Sequence, residues 1–167
     1  MMKTPQRGFT LLIAIVLATV ALAVGLALAD VAYKQVLLSS AARQSQAAFY
    51  RADSALECAL YYDQKFAAFN PTTSTSFDES TITCQGRPIS GYTENRRSDG
   101  SMVTTFNVTG ASCANGQVSA IITVYKETTG FCSTSGQVGK NCLYASGFNT
   151  CSSTDPNRFE RELKAVY

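Results

Sequence analysis

From Phe9 to Ala29 the chain reads FTLLIAIVLATVALAVGLALA, an unbroken apolar run without a charge. As a helix at 1.5 Å per residue it spans about 31 Å, the hydrocarbon thickness of a bilayer. A core helix of a small soluble domain is apolar along one stripe, whereas this run is apolar on every side. After Asp30 the pattern changes without stopping. No proline or glycine occurs between Asp30 and Phe69, and Ala48, Ala52, Ala55 and Ala59 recur at helical spacing beside Leu56 and Leu60. Lys34, Gln44, Arg51 and Gln64 take the opposite side, so this half reads as amphipathic. Asn70-Pro71, followed by Thr-Thr-Ser-Thr-Ser, is a stop signal. The prediction is one helix from Phe9 to about Phe69, roughly 90 Å long.

Beyond Pro71 the texture turns to Ser, Thr, Gly, Asn and Cys with short β-type runs, and residues 71–81 are rich in Ser and Thr. Met102–Val108 alternates, Val118–Tyr125 follows the turn pair Asn115-Gly116, Leu143–Phe148 is short, and Phe159–Tyr167 alternates to the last residue. These predict an antiparallel sheet of about four strands packed on the C-terminal half of the helix, with the final strand paired. The fold class is α+β, in one domain.

Charge sets orientation more than chemistry. The net charge is +2, too small to suggest a nucleic-acid partner, but Lys3 and Arg7 both precede the apolar run. The positive-inside rule therefore puts the N-terminus in the cytoplasm and everything after Asp30 outside. All six cysteines, Cys58, Cys84, Cys113, Cys132, Cys142 and Cys151, fall on that outer side, where an even number reads as disulfides. Spacing does not choose the connectivity; the pairing favoured here ties helical Cys58 to Cys84 in the segment that follows. No pair has the C-x-x-C spacing of a zinc or redox motif, and the chain has no histidine. That removes Ser-His-Asp and Cys-His catalysis and every imidazole metal site. The expectation is a protein that is not an enzyme and that uses no metal or cofactor.

Three readings of the apolar block compete. A cleaved secretory signal has a core of about 7–15 residues and a small-x-small site after it, and this core is too long. A plain signal anchor is the second. The third rests on Lys3-x-x-x-Arg7-Gly8-Phe9-Thr10-Leu11-Leu12, which resembles the leader and cleavage site of type IV prepilins and type II secretion pseudopilins. The resemblance is specific over residues 1–30 and general in layout beyond. It implies a pilin-like fold, a long N-terminal helix carrying a small disulfide-bonded sheet. A membrane aspartyl peptidase would cut between Gly8 and Phe9 and methylate the amine of Phe9. Residues 1–8 would then be leader, 9–29 the membrane span and later filament core, 30–70 the amphipathic continuation, and 71–167 the extracytoplasmic sheet domain. The implied partners are the prepilin peptidase/methyltransferase, inner-membrane lipid before assembly, and other pilin subunits along the N-terminal helix. Major pilins usually carry Glu at the fifth mature position; here that position is Ile13. Members lacking it resemble the minor-pilin and tip-pseudopilin branch, and the helix segment from Gln44 to Glu57 looks like theirs. The function expected is a structural minor pilin or pseudopilin, at low copy or at the tip. The alternative is a signal-anchored binding or adhesion domain that never enters a filament.

Smaller signals are weighed on their own chemistry. Ala14, Ala18, Ala21, Gly25 and Ala29 put small residues on helix ridges, which suits close helix packing in lipid and equally the ordinary composition of a span. Asp53 and Glu57 stand four apart on one helix face, a solvated like-charge pair or an acceptor for Lys34 or Arg43 of a neighbouring subunit. Gly136-Gln-Val-Gly139-Lys140-Asn141 lacks the phosphate-loop spacing and reads as a turn. Arg96-Arg97 is a solvated basic pair, and the sequon Asn107-Val108-Thr109 falls inside a strand.

Overall fold

The computed structural model of the chain describes residues 7–70, 79–98, 100–114, 117–126 and 141–167. It divides into two units, Met1–Ala42 and Arg43–Tyr167. A single helix, α1 (Arg7–Phe66), supplies the described part of the first and opens the second. Its interior holds no proline and one glycine, so propensity opposes it nowhere strongly. It ends three residues before the predicted Phe69. Ala67 takes the left-handed conformation (φ 50°), and its N–H donates to the Asp63 carbonyl at 3.0 Å. That single bond is the αL form of helix termination, here built on an alanine rather than the usual glycine. The turn releases Phe69 from the helix and drops its ring onto Phe106, centroids 5.6 Å apart and nearly parallel.

In the second unit a short 3-10 turn (Glu79–Thr81) leads into a hairpin of β1 (Thr83–Cys84) and β2 (Arg87–Pro88). Gln85 and Gly86 form its two-residue loop, both at positive φ as the favoured hairpin turn requires. The main sheet is an antiparallel meander of β3 (Ser90–Arg96), β4 (Met102–Val108), β5 (Ala120–Lys126), β6 (Cys142–Phe148) and β7 (Glu160–Val166), in that spatial order. Among the described residues this sheet has five strands where about four are expected. The additional one, β3, reads SGYTENR, is exposed almost throughout, and bulges between Ser90 and Thr93. An edge strand with little to bury has no alternation to detect. β7 is the other edge and pairs with β6 along its whole length. The turn pair Asn115-Gly116, the stretch 71–78 and Gly136–Lys140 lie outside the described residues.

One sheet face carries the core. Met102, Thr104, Phe106 and Val108 of β4, Ala120, Ile122 and Val124 of β5, and Leu143 and Ala145 of β6 are all buried. Ala48, Ala52, Ala55 and Ala59 of α1 close over them, each at most 1% exposed. The alanine stripe permits an unusually close approach, and the limit is set at Gly147. A Cβ placed there would lie 2.2 Å from the Ala48 carbonyl oxygen and 2.3 Å from the Ala52 nitrogen. The helix backbone therefore sits directly on the β6 backbone, which no other residue type at 147 accommodates.

Candidate functional site

In the first unit every large apolar side chain from Phe9 to Leu38 is exposed, Phe9 by 65%. Burying one such side chain is worth roughly 1.5–3 kcal/mol, so this surface favours leaving water by tens of kcal/mol. The helix is long and apolar enough to cross a membrane. Asp30 and Lys34 form an i,i+4 ion pair at 2.7 Å on its surface, which gives Lys34 a partner within its own helix. Beyond that pair Val36, Leu37 and Leu38 are again exposed. The apolar surface thus outlasts the boundary at Ala29 that charge alone suggests.

Residues 1–6, Lys3 among them, lie outside the described residues, and the Gly8-Phe9 pair falls in the first turn of α1. Ile13 is exposed on the same helix. Ala14, Ala18, Ala21, Gly25 and Ala29 fall at i, i+4, i+7, i+11 and i+15, one continuous stripe of small residues along the exposed helix. Nothing lies within 4 Å of a Cβ built on Gly25.

In the second unit a border of polar contacts flanks the alanine stripe. Asn149 Nδ2 donates to Gln44 Oε1 (3.4 Å), Arg161 Nε to Ser45 Oγ (2.8 Å), and Gln85 Nε2 to Ser54 Oγ (3.2 Å). Arg51, read from sequence as part of the solvated face, instead reaches the sheet. Its guanidinium donates to the Phe148 carbonyl (2.7 Å) and to Ser112 Oγ (3.3 Å). Gln44 is likewise drawn to the sheet, while Gln64 is exposed. Asp53 is half-buried, Glu57 is exposed, and neither forms an ion pair among the described residues.

The acid that is used lies nearly two turns beyond Glu57. Asp63 is 6% exposed, and its Oδ2 accepts from both Lys126 Nζ on β5 and the hydroxyl of Tyr167. Oδ1 of the same carboxylate is buried without a donor. Burial, reinforced by the hydrogen bond and negative charge of Asp63, raises the Tyr167 pKa well above the ordinary phenol range. The cluster joins the end of α1, the end of β5 and the last residue of the chain, so Tyr167 is structural. From sequence Asp63 was one acid among the polar positions of a helix; only its distance from Lys126 and Tyr167 in space distinguishes it.

Disulfides join Cys58 to Cys84 and Cys113 to Cys151. Cys142 is also disulfide-bonded, and Cys132 lies outside the described residues. The first bridge pins the β1–β2 hairpin to α1. The second pins the loop after β6 to the turn after β4. Asn107 stands in β4 within a paired strand, and Arg97 forms a backbone-bonded turn with Ser101 (2.9 Å).

On the sheet face away from α1, a depression of about 400 Å³ is lined by Ile121, Phe148, Arg158 and Glu160. A second, of about 320 Å³, shares Ile121 and Arg158 and continues to Gln117, Cys151, Ser152 and Ser153. Arg158 stands between them with its guanidinium carbon 3.6 Å from the centre of the Phe148 ring. Sequence reasoning did not single it out, because the segment after Cys151 has no periodicity and a lone arginine in a loop carries no motif. Compared with protein-family models, with curated proteins and with solved structures, the chain matches none.

Proposed function

We propose that this chain is a structural minor pilin or pseudopilin, made as a membrane-stored precursor and assembled at low copy or at the tip of a filament. The observation that carries the reading is the junction Arg7-Gly8-Phe9-Thr10-Leu11-Leu12 at the head of a helix whose apolar surface nothing in its own unit covers. Lipid covers such a surface before assembly, and neighbouring helices cover it afterwards, with the small-residue stripe letting backbones approach. Lys3 and Arg7 would hold the N-terminus inside, where the peptidase cuts after Gly8 and methylates Phe9. Ile13 at the fifth mature position offers no carboxylate to the N-terminal amine of a neighbouring subunit. This favours a subunit that is not repeated along the shaft. Asp53 and Glu57, which form no ion pair among the described residues, are acids available to a neighbouring subunit. On this reading the protein performs no catalysis and needs no cofactor or metal.

The test is intact-mass and N-terminal peptide mass spectrometry on protein from its native cell envelope. A mature chain starting at N-methyl-Phe9 is the expected result. A chain still starting at Met1 or Met2 overturns the reading and leaves a static signal-anchored domain.

A further inference from the structure

The Arg158 depression has the marks of a built site, independent of whether the chain enters a filament. Arg158 is held before any ligand arrives. Its N–H donates to the Asp155 carbonyl (3.1 Å), and Asp155 Oδ1 accepts from the Asn157 N–H (2.9 Å). The loop is closed on β6 by Asn149, whose side chain accepts from the Phe159 N–H (2.6 Å) and donates to the Asn157 carbonyl (3.0 Å). The Cys113–Cys151 bridge fixes its other end. The guanidinium lies on Phe148, Nε is buried without an acceptor, and no carboxylate among the described residues pairs with it. Because Nε is closed to solvent, the donors that an incoming acceptor meets are the terminal N–H groups of the guanidinium.

We propose that this depression binds a monocarboxylated saccharide of the uronic-acid class, its carboxylate on Arg158 and its hydroxyls on the surrounding side chains. A guanidinium fork matches a carboxylate in two parallel hydrogen bonds. Glu160, which lines the same depression, lowers the cleft's positive charge and so penalises a phosphate dianion more than a monoanion. The Glu160 carboxylate can accept hydrogen bonds from hydroxyls, and Gln117, Ser152 and Ser153 in the adjoining depression supply neutral donors and acceptors. Ile121 gives the apolar floor that a sugar face covers. Both depressions are of the size that small-ligand sites have, roughly 300–1,000 Å³. Ile121 and Phe148 stand on β5 and β6, interior strands whose backbone is already paired on both sides. The cleft therefore offers side chains rather than a free ladder, which disfavours an extended peptide.

The experiment is a titration of the full chain in detergent micelles, following the Arg158 Nε–H signal by ¹⁵N NMR. The probes are methyl glucuronide, methyl glucoside, acetate and an amidated N-acetyl-Glu-Glu dipeptide. Methyl glucuronide is expected to move the signal with half-saturation at about 1–10 mM, a weak single-sugar affinity. The glucoside should not move it, and acetate should bind at least tenfold more weakly. Glu160→Gln removes like-charge repulsion at an exposed position and should tighten glucuronide binding about two- to fivefold. Arg158→Gln should abolish it. Since loss of the Phe148 contact could also disturb the loop, the gain in Glu160→Gln is the decisive variant. Silence from glucuronide, acetate binding as tightly as glucuronide (an adventitious anion only), tighter binding of the dipeptide, or no gain in Glu160→Gln each overturns the proposal.

Discussion

Gly147→Ala tests the closeness of helix and sheet directly. In a β-strand, alanine would by itself stabilise relative to glycine by roughly 0.5–1 kcal/mol, because glycine loses more backbone freedom on folding. Here the added Cβ would meet the Ala48 oxygen at 2.2 Å, the Ala52 nitrogen at 2.3 Å and the Ala52 Cα at 2.9 Å. All three are backbone atoms, so no rotamer change relieves the clash and the helix must withdraw by about 1 Å. A gap of that size forfeits a quarter to a half of the dispersion energy at each contact it opens. Ala48, Ala52 and Ala55, fully buried in the wild type, all lie in the part that lifts. Overpacking typically costs about 1–3 kcal/mol, and a collision with the backbone of two successive helical turns belongs at the upper end or beyond it. A loss of about 3 kcal/mol corresponds to a fall in melting temperature on the order of 10 °C for a domain of this size. The measurement is urea and thermal unfolding of the full chain in mild detergent, followed by tyrosine fluorescence and near-UV circular dichroism, since the chain has no tryptophan. Ala52→Gly in the same background should not rescue, because the obstructing atoms are backbone. Gly25→Ala, where a Cβ meets nothing within 4 Å, should leave the unfolding of the sheet domain unchanged. Gly147→Ala within about 0.5 kcal/mol of wild type, the scatter of ordinary surface changes, would refute the close-approach argument.

The same assay checks three further outcomes. Ala67→Gly should stabilise by about 0.5–1 kcal/mol, because Ala67 ends α1 at φ 50° and left-handed backbone costs a residue with a Cβ about 1–2 kcal/mol; a loss of stability would show that the Ala67 methyl contributes packing instead. Thr104→Val should raise stability by about 1 kcal/mol, since the Thr104 hydroxyl is fully buried without a partner among the described residues and valine keeps the shape. The third is a pH dependence. Tyr167 has its pKa raised in the folded state, first by burial and then by Asp63, so its contribution is fully present below the unfolded phenol pKa of about 10. Above that value the unfolded chain releases a proton that the folded chain keeps, and stability must fall as pH rises. Tyr167→Phe should flatten the alkaline limb between about pH 9.5 and 11; an unchanged limb would place its origin elsewhere.

What could be read in the chain beforehand follows from what each element buries. The Phe9–Ala29 run is apolar without a break and the Ala48, Ala52, Ala55, Ala59 stripe is periodic over three turns, and both are signals that survive without neighbours. β4 was legible to the residue because its alternation is driven by a one-sided core: Met102, Thr104, Phe106 and Val108 face α1 and the residues between them do not. β3 was invisible because it buries almost nothing, and the β1–β2 hairpin because two-residue strands have no period and Gln85-Gly86 is an uncommon turn pair. The helix end was misplaced because Asn70-Pro71 is a strong stop, while the actual terminator, a left-handed Ala67, has no compositional mark. Asp63, Lys126, Tyr167 and Arg158 belong to a different class. Their roles depend on distances across 41 to 104 positions of chain, or on a loop geometry, and no local window contains either.

The two faces of the sheet divide the work. The inner face meets α1 so closely that alanine and glycine are required, and it is bordered by polar ties at Gln44, Ser45, Arg51, Ser54 and Asp63. With that many fixed points, the helix from Arg43 onward cannot rotate about its axis without breaking several hydrogen bonds at once. The outer face bears no such constraint; it carries Tyr125 against Tyr144 at 5.5 Å and, at one end, the Arg158 depression. Variants on the two faces should accordingly separate. Changes at Gly147 or Ala52 disturb stability and, through it, any assembly the helix enters. Changes at Glu160 or Ser153, both exposed, leave the fold intact and alter only what the outer surface binds.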